Sequence, residues 1–297
     1  MKVILRICLS ILFIMTTFSC NHTLKQSDMR LIFLHHSVGE TLWNGRPPSL
    51  LTRAAKRINI KLAKMVSPKP QMQLLFKDYC KVNMKNYLIE EKAFPQAKPY
   101  GWNNNPFDYY NIWVFNSGEK PFMGEPTLEI LTKKYQVIIF KHCYPVSNIQ
   151  PERDTPDINS AYPSLSNYKL QYLALRDKLH AFPETKFILF TGAAQVKGNI
   201  SEEEALRAKA FFSWVTEEWD IPNDNIFLWD LYSLQTEGDI YFKDEYAMSS
   251  LDSHPNRTFA SKAVQLLFNR IIDVIENDGE KSTLTGTKII PNSDTTR

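Results

Sequence analysis

Near the end of the chain, Asp252-Ser253-His254-Pro255-Asn256 places a carboxylate and an imidazole two residues apart. A histidine can take up a proton near neutral pH, and it does so best when a carboxylate fixes its tautomer and stabilises its charged form. What this pair lacks locally is a nucleophile. Ser37 is the candidate, in Arg30-Leu31-Ile32-Phe33-Leu34-His35-His36-Ser37-Val38-Gly39. A serine hydroxyl is a weak nucleophile until a neighbouring base removes its proton. Ser37, His254 and Asp252 are therefore read as nucleophile, general base and orienting acid of a serine hydrolase. The backbone amides of the turn through Gly39 can face a developing oxyanion, and losing one such donor typically costs ~10²–10³ in rate. Each residue also has a plainer use. A serine after a strand commonly caps a helix, and Asp252 or Ser253 followed by Pro255 can equally open one. Chain order, with Ser37 after the first strand and His254 before the last helix, favours the chemical reading.

These side chains must be held by a scaffold, and the hydrophobic pattern supplies one. Leu31–Leu34, Val137–Phe140, Phe187–Phe190 and Ile226–Trp229 are short continuous apolar runs of the kind buried in a parallel sheet. Helix-like stretches alternate with them at about 49–57, 127–134, 168–180, 201–219 and 257–276. The alternation predicts an α/β chain, three-layer α/β/α around a central, mostly parallel sheet. In such sheets ligands bind beyond the carboxyl ends of the strands. There the sequence places His35, His36 and Ser37, then Lys141, His142 and Cys143, then Thr191, Gly192 and Gln195. Between 67 and 125 the pattern weakens into a proline-rich insertion, preceded by one more expected strand near 60–66. Loops that long are uncommon unless functional. In the insertion, Trp102, Tyr109, Tyr110 and Trp113 can stack on sugar rings and Asn103, Asn104 and Asn105 can bond hydroxyls, or the aromatics can form a satellite core.

The N-terminus belongs to targeting rather than to the fold. Lys2 and Arg6 precede an apolar stretch at 7–18 that is signal-peptide length and short for a membrane span. Thr17-Phe18-Ser19-Cys20 is similar to a lipoprotein cleavage site, with Cys20 as the acylated residue. The expected division is a signal peptide at 1–19, a tether at 20–29, a catalytic domain at 30–278 and a disordered polar tail at 279–297. The expected location is the bacterial cell envelope, with a membrane partner through the lipid anchor. Cys80 and Cys143 would then remain, free to bridge in an oxidising compartment or to pack as small hydrophobes. The formal charge of +3 arises from 35 basic and 32 acidic residues. No block of like charge draws the chain onto nucleic acid.

Phe33-Leu34-His35-His36-Ser37-Val38-Gly39, Phe140-Lys141-His142-Cys143-Tyr144-Pro145 and Asp252-Ser253-His254-Pro255-Asn256 together resemble the three main blocks of the SGNH or GDSL-like hydrolases. The resemblance covers roughly 31–267 and points to a divergent bacterial branch with a His-His-Ser-x-Gly block. It implies a flavodoxin-like fold, esterase or carbohydrate deacetylase activity, and no cofactor. It also implies Ser37, His254 and Asp252 in the triad roles. The chain departs from that pattern in three places: His-His-Ser stands for Gly-Asp-Ser, Asp and His are two rather than three apart, and a Gly-x-Asn block is missing. Gly39 and Gly101 are the glycines assigned to the oxyanion hole, and His142 or Asn148 stands in for the asparagine.

Two other functions fit the same residues. One is a non-catalytic surface glycan-binding lipoprotein on a decayed hydrolase fold. The other is a metal-dependent hydrolase in which His35, His36, His142, Asp252 and His254 converge on zinc, although consecutive strand side chains point to opposite faces. In the serine-hydrolase reading no metal is used, His35 packs against a helix and His36 is a supporting donor. His180 sits at the negative end of its helix.

Overall fold

The computed structural model of the protein describes residues 29–59, 65, 67–96, 98–100 and 104–290. The expected signal segment, Cys20 and the expected tether up to Asp28 lie outside the described residues, as do Gly101, Trp102, Asn103 and most of the strand expected at 60–66.

Five parallel strands form the central sheet: β1 (Met29–His35), β2 (Tyr87–Ala93), β3 (Val137–Phe140), β4 (Lys186–Phe190) and β5 (Ile226–Trp229), in the order β2-β1-β3-β4-β5. This is the flavodoxin-like order, in which the direction of winding reverses between β1 and β3. Leu31 through Leu34 and all of β3 are buried, because a sheet covered on both faces leaves no polar side for either. Helices Ser37–Asn44, Gln71–Asn83 and Arg257–Asn277 pack on one another, and helices Pro106–Tyr109, Leu165–His180 and Glu202–Trp214 form a second connected group. These make the outer layers of the α/β/α sandwich. The core carries many aromatic rings, with Phe33, Phe140, Phe187 and Trp229 fully enclosed. Truncating one such Phe or Trp to Ala costs about 3–5 kcal/mol.

Helix starts follow local chemistry. Ser49, Ser164 and Asn256 each accept a hydrogen bond from an amide three residues on, and Ser201 with Glu204 forms a reciprocal capping box.

Three expectations are corrected. The stretch expected to be a loop-rich insertion instead holds a helix, Gln71–Asn83, and a strand, β2 at Tyr87–Ala93. Asp252 and His254 do not open the last helix. They lie on β7 (Asp252–Pro255), which pairs antiparallel with β6 (Ala247–Ser249), and Asn256 is the cap. The tail is ordered through Ile290: Asp230 N–H donates to Leu284 O at 2.9 Å, and Trp229 Nε1 to Thr285 O at 3.1 Å. Only 291–297 of that tail lie outside the described residues. Among the described residues, no helix is long and apolar enough to cross a membrane.

Candidate active site

β1 ends at His35, and after one extended residue the chain turns into the helix that begins at Ser37. The turn is tight because residue 39 has no side chain. A Cβ there would sit 2.3 Å from His35 Cβ, closer than two such atoms can approach. Ser37 thereby occupies the first helical position, at the reversal between β1 and β3. The first helical hydrogen bond comes from Glu40 N–H to His36 O, so the amides of Ser37, Val38 and Gly39 precede any intrahelical acceptor. They cluster at the positive end of the helix dipole, beside the Ser37 hydroxyl.

The hairpin of β6 and β7 brings the other two groups. Ser37 Oγ lies 2.8 Å from His254 Nε2, and His254 Nδ1 lies 2.6 Å from Asp252 Oδ1. With Nδ1–H donating to the carboxylate, Nε2 carries the lone pair and accepts from the Ser37 hydroxyl. Asp252 Oδ1 also accepts from the His254 backbone N–H at 3.0 Å, which pins carboxylate and ring together. Partial burial alone would raise the Asp252 carboxyl. The hydrogen bonds from the His254 amide and ring outweigh it and hold the group below the usual carboxylate value. All three residues retain solvent access, so a substrate can reach them.

Two neighbours of this chain were not assigned site roles from sequence. Cys143 Sγ is 3.6 Å from Ser37 Oγ. Because the serine hydroxyl points to His254, the thiol is the donor in that contact. Tyr144 sets its ring perpendicular to His254 with centroids 5.4 Å apart, restricting the imidazole. Both follow β3 directly, the place where site residues were expected. Cys80 and Cys143 are both free thiols, so no bridge joins them.

Other assigned residues are placed elsewhere. His142 is fully buried, donates from Nδ1 to Asn104 O at 2.9 Å, and packs its ring edge-on against Tyr109. Burial drives its pKa down to about 3, with the nearby Lys141 charge adding to the shift. It supplies no contact to Ser37, which removes it as the oxyanion donor. Asn148 Oδ1 accepts from Gln195 Nε2 at 2.5 Å, so its amide is fixed to the β4 loop. Gly101 follows β2 in chain order but lies outside the described residues. His36 donates from Nε2 to Pro95 O at 2.6 Å; burial and the Lys141 charge lower it to about 4. His35 is buried against Gly39 and faces Glu91 across 3.1 Å. His180 pairs with Asp224 at 2.8 Å as well as ending its helix. The histidines thus turn to separate partners, and among the described residues no three His, Cys, Asp or Glu side chains are grouped to hold a metal.

The aromatic insertion is also reassigned. Tyr109 and Trp113 are fully buried and pack with Phe94 and Phe140 as part of the main core, neither a separate satellite nor a sugar platform. Tyr110 is buried, with its hydroxyl donating to Asn159. Asn104, fully enclosed at φ +56°, accepts from Cys143 N–H at 2.8 Å and donates to Phe94 O at 2.7 Å. Its role is to tie the loop after β2 to the turn that carries Cys143.

No family model matches the chain, and no curated protein matches it. Among solved structures the chain is similar to a carbohydrate esterase whose active site is described as displaying divergent catalytic and non-catalytic binding functions. The two share 12% identity at a TM-score of 0.40, over 84% of this chain and 66% of the other. The chain therefore spans a little under two thirds of that neighbour's length.

Proposed function

We propose that the protein is an exported serine esterase of the SGNH type that cleaves its ester through an acyl-enzyme on Ser37. The observation that carries this reading is the unbroken hydrogen-bond chain from Ser37 through His254 to Asp252. In it, His254 Nε2 takes the Ser37 proton as Oγ attacks the ester carbonyl, and Asp252 stabilises the imidazolium so formed. The oxyanion is met by the amides at the start of the Ser37 helix. His254 then returns the proton to the departing alcohol, and repeats the base step on a water that releases the acid.

The narrower parts of the proposal are a small acyl group, acetyl in the first instance, carried on a carbohydrate, and attachment to the cell envelope through lipidated Cys20. The carbohydrate rests on the export signal, since Tyr109 and Trp113, two of the rings that favoured a sugar cleft, belong to the core. Turnover of an aryl acetate by the purified chain tests the reaction class. Ser37→Ala should lower it by about 10⁶-fold toward background while the folded spectrum is unchanged. Undiminished turnover would remove the proposed nucleophile. Release of acetate from acetylated oligosaccharides then tests the substrate class separately.

A further inference from the structure

The helix Leu50–Ile58 is amphipathic in the inverse sense. Its small residues Thr52 and Ala55 face the protein and are buried. Its large apolar ones face solvent: Leu50 is 83% exposed, Leu51 65% and Ile58 78%. At 100° per residue, Leu50, Leu51, Ala54 and Ile58 fall on one continuous stripe, with Arg53 and Arg57 along its border. Arg53 and Arg57 form no ion pair among the described residues. The surrounding sequence has the same bias. Between Glu40 and Asp78 there are eight Lys or Arg residues, at 46, 53, 56, 57, 61, 64, 69 and 77, and no Asp or Glu. The cations are spaced along the segment rather than gathered in a block, which is why overall charge hides them. Exposed apolar stripes rimmed by cations are unstable against water alone and fit an interface that is apolar below and anionic above.

We propose that this helix docks the protein onto an anionic phospholipid surface, Leu50, Leu51 and Ile58 entering the headgroup boundary while Arg53 and Arg57 pair with lipid phosphates. Charge complementarity selects the membrane over a second copy of the chain, whose matching helix would present the same cations. Arg53 is one of the charges felt by Asp252, which places the helix on the side of the molecule that carries the Ser37–His254 pair. The proposal holds independently of the esterase reading and of lipidation at Cys20.

Amide hydrogen exchange of the full chain tests it locally, because it reads protection at 50–58 separately from any binding of vesicles through the N-terminal apolar segment. Phosphatidylglycerol-containing vesicles should slow exchange across 50–58 by roughly tenfold, and pure phosphatidylcholine vesicles should not, with the effect lost near 0.5 M salt. The variant Leu51→Glu/Ile58→Glu, altered only at exposed positions, should keep the wild-type melting temperature and lose the slowing. The proposal is overturned if 50–58 exchanges equally with and without anionic vesicles. It is overturned equally if protection follows protein concentration without lipid, which would assign the stripe to a second copy, or follows a soluble polyanion alone.

Discussion

Asp252 and His254 stand two residues apart on the same face of β7, and the carboxylate meets Nδ1 at 2.6 Å because side chains at i and i+2 of a strand project together. The spacing that departs from the three-residue interval of the SGNH pattern is what an extended backbone requires. The same strand directs Nε2 at Ser37, so the His254 ring and the Asp252 carboxylate are aimed by one piece of regular structure.

That geometry gives a first expectation. Asp252→Asn keeps the size of the side chain but offers the wrong partner to Nδ1–H, so kcat on an aryl acetate should fall by about 10²–10⁴ with little change in melting temperature. Activity within about threefold of wild type would mean that Asp252 does not orient the base.

Gly39 carries a structural expectation. An added methyl at 2.3 Å from His35 Cβ cannot be absorbed by a flexible side-chain end, so the helix must shift. Gly39→Ala should destabilise the protein by ~1–3 kcal/mol in urea titration, and should lower activity because Ser37 moves with the helix. A variant as stable as wild type would show that the turn relaxes freely.

Acid stability follows from the buried histidines. His142 and His36 are held to about 3 and about 4 by burial, below the ordinary 6.5. The unfolded chain therefore binds protons that the folded chain refuses. The contribution is intact above pH 6.5 and is lost as pH falls through that value toward 4 and 3. Between pH 7 and pH 5 each histidine should account for about 2 kcal/mol of lost stability. His142→Phe should be less stable at pH 7 but show a shallower decline, read from urea unfolding at the two pH values. An equally steep decline would show that His142 protonates without unfolding.

How far the sequence reaches depends on burial. β1, β3, β4 and β5 were legible because both faces are covered and the strands read as unbroken apolar runs. β2 was not, because as an edge strand it can carry Glu90, Glu91 and Lys92 and lacks that signal. β7 was hidden for a similar reason: four residues reading Asp-Ser-His-Pro have no strand pattern, and only the hairpin with β6 extends them. Ser37, His254 and Asp252 were identifiable as residues and in order, since their chemistry is in their side chains. Cys143 and Tyr144 were visible only as neighbours of a strand end. Their contacts with Ser37 and His254 depend on a register that spacing does not reveal. The aromatic insertion shows the opposite failure. Tyr109 and Trp113 have the composition of a sugar platform, and what they pack against is set by long-range folding.

The central claim is that Ser37 is a nucleophile activated by His254. Reaction with a fluorophosphonate, followed by peptide mass spectrometry, tests it most directly. A single adduct is predicted on Ser37, absent from Ser37→Ala and formed at least about 100-fold more slowly in His254→Ala. A folded wild-type protein that stays unlabelled at Ser37, or that labels there at the same rate without His254, would contradict it.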